Sequence, residues 1–373
     1  MARPLKTPPG LRPAWAEVDL GAIRHNVTEI ARLAGNARFC AVVKADGYGH
    51  GAVPIARAAL QGGATWLAVA LVEEAAVLRG EGIDAPILVL SEPPPEAMGV
   101  AAGLDLRVTL YTDEGIEAAA RHGLRAHLKV DTGMHRVGVQ PQRALRLASL
   151  VAAHHTLELE AVWTHLAVAD EPERSDATQR QLSCFSDVVA GIRATGIDVP
   201  MTHVSNTAGV LMAGEAHDMV RVGIGLYGYQ PNPDRATAAD LRPALSLRAR
   251  TSHVKRLAAG ESLSYGMRYT LERDATVATV PLGYADGVPR RLSGTGAEVL
   301  VGGLRRPIAG TVTMDQVLVD CGDLDVSRGD EVVLLGTAGD DAITADDWAR
   351  RTGTISYEIL CGIGPRVPRV HLG

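Results

Sequence analysis

The chain has 373 residues and a formal net charge of −6. That length leads us to expect two domains, and that charge offers neither a basic field for nucleic acid nor a polybasic membrane anchor. Four cysteines (Cys40, Cys184, Cys321, Cys361) stand far apart with no CxxC pair, which argues against a zinc site and suits reduced thiols, so no metal is expected. The opening "MARPLKTPPGLRPAW" has no apolar run. Lacking an export signal's hydrophobic core or a bilayer-length span, the protein is expected in the cytoplasm.

The first patterned segment, "WAEVDLGAIRHNVTEI", precedes any repeating pattern, and periodicity alone assigns its strand to neither domain. From about residue 38 to 230 a unit recurs. Short apolar runs, "FCAVVK", "WLAVAL", "PILVLS", "LRVTLY", "AHLKV", "LEAVWTH", "MTHVSN" and "MVRVGIG", alternate with alanine-rich segments such as "PIARAALQGG", "VEEAAVLRGEG" and "DEGIEAAARHG". Strand–helix alternation implies right-handed βαβ units and a parallel sheet, and eight such units favour a closed (β/α)8 barrel. An open doubly wound sheet would be expected to show GxGxxG after its first strand, and no such motif is there. Near "NPDRATAADLRPALSL" the pattern changes to β-type runs: "LSLRARTSHVKRL", "ATVATVPLGYADG", "AEVLVGG", "QVLVDCG" and "DEVVLLG". Only "TADDWARRT" reads as helical there, with Thr344 as N-cap. The expected division is a barrel over 1–243, whose extreme N-terminal strand is open to joining the other domain, and a mostly β domain over 244–373.

Chemistry in such a barrel gathers at the C-terminal ends of its strands. Lys44, Lys129, His165, the triplet "SNT" (205–207) and Arg221 with "GIG" all fall there, and Arg136 follows in the loop "VDTGMHRVG". Singly, each has a plain structural explanation: a snorkelling lysine, a satisfied core histidine, a flexible glycine pair. Together they describe a site. A lysine desolvated among apolar strand residues loses pKa and can form a Schiff base with an aldehyde. Gly223, Gly225, Ser205 and Thr207 offer phosphate donors at the ends of the seventh and eighth strands, and His165 can lie against a ring. Those three elements describe a pyridoxal 5'-phosphate site.

The stretches "AVVKADGYGHG", "LKVDTGMHRVG", "THLAVAD", "HVSNTAG", "VRVGIGLYG", "LSYGMRY", "VPLGYADG", "GTVTMDQ" and "ISYEILCGIGPRVPRV" occur in this order between residues 14 and 370. In them the chain resembles the alanine racemases. The resemblance implies that Lys44 is both Schiff-base lysine and proton-transfer base on one face of the substrate. Tyr265, from a second subunit, is implied as the base on the other. Arg221 would face the pyridine nitrogen, leaving it unprotonated because an arginine only donates. Tyr48, Asn206, Thr207, Gly223, Ile224 and Tyr357 would hold the phosphate, His165 would support the ring, and Arg136 would bind the phenolic oxygen or the substrate carboxylate. Met314, Asp315 and Tyr284 would border the substrate, and Lys129 would carry a carbamate that orients Arg136. His135 departs from the small residue often found there, which bears on how Arg136 is held. The resemblance further implies a head-to-tail homodimer with composite sites, making D-alanine for peptidoglycan. A broader-specificity or serine racemase and a related amino-acid decarboxylase are the alternatives; "SYG" and "MDQ" argue against the decarboxylase. A barrel-only pyridoxal phosphate-binding protein would lack the second domain.

Overall fold

The computed structural model describes residues 11–373. Residues 1–10, with most of the stretch read above for an export signal, lie outside the described residues. Two compact units divide the chain: Gly21–Arg242 forms one, and the segment up to Leu20 joins Pro243–Gly373 in the other.

β1 (Ala14–Asp19) belongs to the second unit, and a helix over Leu20–Ala34 follows it. The barrel strands are β2 (Arg38–Val42), β3 (Trp66–Val69), β4 (Ile87–Val89), β5 (Leu106–Leu110), β6 (Arg125–Lys129), β7 (Glu158–Trp163), β8 (Thr202–His203) and β9 (Met219–Val222). Each falls within or beside one of the eight apolar runs. The runs lack polar alternation because β3, β4 and β5 are buried along their whole length, as parallel strands covered on both faces must be. All the pairings are parallel, in the order β8-β7-β6-β5-β4-β3-β2-β9. Backbone bonds bring the two ends together: Arg221 N donates to Ser205 O (2.9 Å) and Asp218 N to Thr202 O (3.1 Å). The result is a nearly closed eight-stranded barrel. One irregularity matters below: between β6 and β7 the register passes from Ala126–Leu159 to His127–Ala161, leaving Glu160 as an extra residue on β7.

The second unit adds β10 (Leu245–Arg250), β11 (His253–Leu257), β12 (Ser262–Leu263), β13 (Tyr269–Thr270), β14 (Ala275–Val280), β15 (Glu298–Val301), β16 (Leu304–Pro307), β17 (Val317–Gly322), β18 (Glu331–Ala338), β19 (Asp341–Ile343) and β20 (Arg369–Leu372). β1, unassigned by its sequence, pairs antiparallel with β10 and parallel with β20. The run "LSLRARTSHVKRL" is two strands, β10 and β11, in different sheets. At the break Thr251 N bonds Asp330 O and Ser252 N bonds Thr279 O, so the backbone changes partner between adjacent residues. The helix over Ala345–Thr352 has Thr344 as its N-cap, accepting from Asp347 N. A second helix, Ser356–Cys361, corrects the expectation of a single one; six residues are too short to show a 3.6-residue period. Among the described residues no helix is long and apolar enough to cross a membrane, and no cluster of His, Cys, Asp and Glu could hold a metal ion.

Candidate active site

Lys44 follows β2 and opens an unusual turn. Ala45, Asp46, Gly47 and Tyr48 have φ of 52°, 51°, 61° and 52°, a stretch of left-handed helix closed by Gly47 N to Val43 O (2.9 Å) and Gly49 N to Ala45 O (3.0 Å). Left-handed helical backbone costs an L-residue about 1–2 kcal/mol, and here only Gly47 escapes that cost. Side-chain acceptors offset it: Glu74 Oε1 takes Ala45 N (2.6 Å), and Asp46 Oδ1 takes Ala52 N (2.8 Å). The turn sets Lys44 and Tyr48 at its two ends. The Tyr48 ring stacks on Tyr227 at 4.6 Å, and Tyr227 donates to Val42 O at 3.0 Å.

Arg221, on β9, is only 2% exposed. Its guanidinium donates to His203 Nδ1 (2.7 Å), Thr164 O (2.9 Å), Val204 O (3.0 Å) and His165 Nδ1 (3.2 Å), and lies 4.5 Å over the Trp163 ring. Burial works against its charge, but a guanidinium with four acceptors keeps its proton. Lys129, at the end of β6, has its ammonium 4.4 Å over the same ring. Burial first, then Arg221 and Arg136, bring the Lys129 amine down to about 7. Burial and the cations Arg221, Lys129, Arg136 and Lys44 hold His165 well below its ordinary value. The charges of Arg221, Arg136 and Lys44 all act on the Lys129 amine, and that of Asp131 opposes them. Such a set calls for an anionic ligand.

The glycine turn beside it is shaped for close approach. Thr207 Oγ1 accepts from Gly223 N (3.1 Å) and Gly225 N (3.4 Å). A Cβ on Gly223 would come within 2.5 Å of the Tyr48 hydroxyl, and one on Gly225 within 2.8 Å of Thr207 Cγ2. Asn206 lies 3.4 Å from His165 Nε2, and Ile224 is buried just after Gly223. A cationic cluster around a side-chain amine, next to a glycine cradle, fits pyridoxal phosphate.

Arg136 is exposed. It follows His135, whose φ of 54° is a left-handed conformation that a glycine would adopt without strain. The His135, Gly133 and Met134 amides are gathered on Asp131 Oδ1 at 3.0–3.1 Å. The remaining candidates lie in the second unit. Tyr265 is 74% exposed on a turn where Ser264, Gly266 and Met267 all have positive φ. Met314 and Tyr284 are exposed, Tyr357 is half-buried, and Asp315 is paired with Arg366 at 2.7 Å. The Tyr284 amide donates to Thr313 O (3.0 Å), which ties the tyrosine to the Met314 loop.

Trp163, His203, His127 and Glu160 were not singled out from the sequence. A polar residue inside a strand that is otherwise apolar, as in "AHLKV", "LEAVW" and "MTHVSN", was the available signal.

Family models match both parts of the chain: "Alanine racemase, N-terminal domain" over residues 18–231 and "Alanine racemase, C-terminal domain" over 244–371. The chain belongs to the alanine racemase family. Alanine racemase of Symbiobacterium thermophilum is 48% identical over 372 residues, covering 98% of each chain. The crystal structure of alanine racemase from Bacillus anthracis with bound L-Ala-P superposes with a TM-score of 0.92 at 39% identity, covering 98% of this chain and 96% of that one. A histidine racemase from Leuconostoc mesenteroides matches at TM-score 0.91 and 31% identity over 98% and 99%. The relatives span both units, so the family's barrel and its β domain are both present here.

Proposed function

We propose that this enzyme interconverts L- and D-alanine on pyridoxal phosphate, within a homodimer whose sites each draw residues from both chains, and that it does so in the cytoplasm. The observation that carries this reading is the setting of Arg221, a buried donor-only cation bonded to His165, on which Lys44 also acts, and two residues before the Gly223–Gly225 cradle. Membership in a family of racemases supports it, and a bound alanine analogue in the Bacillus anthracis enzyme supports alanine as substrate.

When bound, pyridoxal phosphate supplies an electron sink that acidifies the α-C–H of an amino acid. In this chain the residues that would hold it are Tyr48, Asn206, Thr207, Gly223, Ile224 and Tyr357 at the phosphate, His165 beside the ring, and Arg221 at the pyridine nitrogen. Lys44 Nζ takes or returns the α-proton on one face, and the Tyr265 hydroxyl of a second copy does so on the other. Inversion requires two such groups, because a single base returns the proton to the face it came from. Arg136, Tyr284, Met314 and Asp315 bind and enclose the substrate. An amine titrating near 7 is substantially unprotonated at neutral pH, so Lys129 can add to carbon dioxide, releasing a proton and leaving a carbamate that pairs with Arg136. Extra electron density on the Lys129 amine in a crystal structure would identify the carbamate; a bare amine would refute it.

A broader amino-acid range is the second reading, favoured by the histidine racemase neighbour. The deciding assay follows D-enantiomer formation from L-alanine, L-serine and L-histidine by the pyridoxal phosphate-loaded enzyme. Turnover of alanine well above the others is expected. No racemisation of alanine would overturn the proposal.

A further inference from the structure

Arg221 is anchored by a chain of side chains that runs away from the candidate site. Its Nη1 lies 2.7 Å from His203 Nδ1, His203 Nε2 lies 3.0 Å from His127 Nδ1, and His127 Nε2 lies 2.9 Å from Glu160 Oε2. His203 and His127 are fully buried. Glu160 is the extra residue of the β7 irregularity, and bulges of this kind re-aim a side chain. Arg107 stands behind it, its Nε 3.6 Å from the same Glu160 oxygen and its Nη1 3.0 Å from Asp105.

The protons in this chain are determined by its two ends. An arginine only donates, so His203 Nδ1 must accept. A neutral His203 then carries its hydrogen on Nε2 and donates to His127 Nδ1. His127 in turn carries its hydrogen on Nε2 and donates to the Glu160 carboxylate. Every bond points from Arg221 to Glu160. Protonating His203 would place an N–H against the Arg221 N–H and break the chain at its first bond. Among the described residues Arg221 has no carboxylate partner, so its orientation depends on neutral acceptors, of which His203 is the nearest.

We propose that Glu160 is a positioning residue: through His127 and His203 it fixes the two imidazole tautomers that aim the Arg221 guanidinium into the candidate site. An acceptor at this end completes the order that Arg221 imposes from the other, whereas a donor there would leave two N–H groups opposed, and a carboxylate can only accept. The effect on turnover rests on the racemase reading; the tautomers do not.

The test uses enzyme labelled with ¹⁵N at histidine, with and without bound pyridoxal phosphate, read by long-range ¹H–¹⁵N correlation of the imidazoles. Two imidazoles protected from exchange, each with hydrogen on Nε2 alone, are expected in both forms. Glu160→Ala should release that pattern and lower kcat for alanine about tenfold with KM little changed. Glu160→Gln, whose side-chain oxygen can still accept, should restore both. A hydrogen on Nδ1 of either ring in the unmutated protein would overturn the proposal, even if Glu160→Ala fails to fold. So would Glu160→Ala leaving spectrum and kcat unchanged, or Glu160→Gln as impaired as Glu160→Ala. If the unmutated enzyme does not racemise alanine, the racemase reading fails while the tautomer result stands on its own.

Discussion

Arg221 in the barrel unit is 2% exposed and donates to four acceptors, whereas Tyr265 in the β unit is 74% exposed and its phenol oxygen has no hydrogen-bond partner among the described residues. The barrel holds its polar groups already oriented: a left-handed turn presents Lys44, a histidine chain holds Arg221, and a threonine hydroxyl gathers two glycine amides. The β unit presents Tyr265, Met267 and Met314 to solvent. A phenol acts as a base through its phenolate, a form that neighbouring cations stabilise. The barrel's groups are preorganised, and the proposed function has Tyr265 meet their counterparts only when two copies associate.

That contrast can be broken at several points, in descending order of effect. Lys44→Ala should abolish racemisation, by about 10³-fold or more, because binding and proton transfer both fail. Tyr265→Phe should lower kcat about 10²-fold or more. It should leave deuterium exchange from heavy water into one alanine enantiomer with retention, since Lys44 still serves its own face; equal exchange into both enantiomers would contradict the two-base account. Gly223→Ala places a methyl against the Tyr48 hydroxyl. Retention of pyridoxal phosphate through dialysis should then weaken about tenfold or more, with the fold intact. Unchanged retention would move the phosphate elsewhere.

The two smaller effects concern stability. With carbon dioxide excluded, so that the amine is free, Lys129 in the folded chain titrates near 7, below its unfolded value. Between about pH 7 and 10 the unfolded chain therefore binds the extra proton, and stability rises with pH across that window and is flat below it. Lys129→Met should remove this slope, so its stability advantage over the unmutated protein shrinks as pH rises in denaturant titrations; a constant gap would refute the shifted amine. Glu74→Ala strips acceptors from the Ala45, Ala70 and Leu71 amides and should cost about 1–3 kcal/mol, read as a lower denaturation midpoint.

The barrel was legible because its strands are buried on both faces and read as apolar runs, and the barrel half of the candidate site could be listed because such folds display strand-end residues. The turn after Lys44 was not: Ala45 and Tyr48 are not residues that announce a left-handed backbone, and the Glu74 and Asp46 acceptors help hold the turn. β1 was equally hidden, since its partners β10 and β20 lie more than 200 residues away. Glu160 escaped notice because a one-residue slip in pairing leaves no trace in an alternation count.

The central claim is that one functional site takes Lys44 from one chain and Tyr265 from another. Mixing Lys44→Ala and Tyr265→Phe proteins, each inactive alone, under conditions of subunit exchange tests it directly. Random exchange makes half the dimers mixed, each with one intact site of two, so racemisation should return to about a quarter of the unmutated rate. Mixtures that remain as inactive as their parents, while exchange of subunits is verified, would contradict the account.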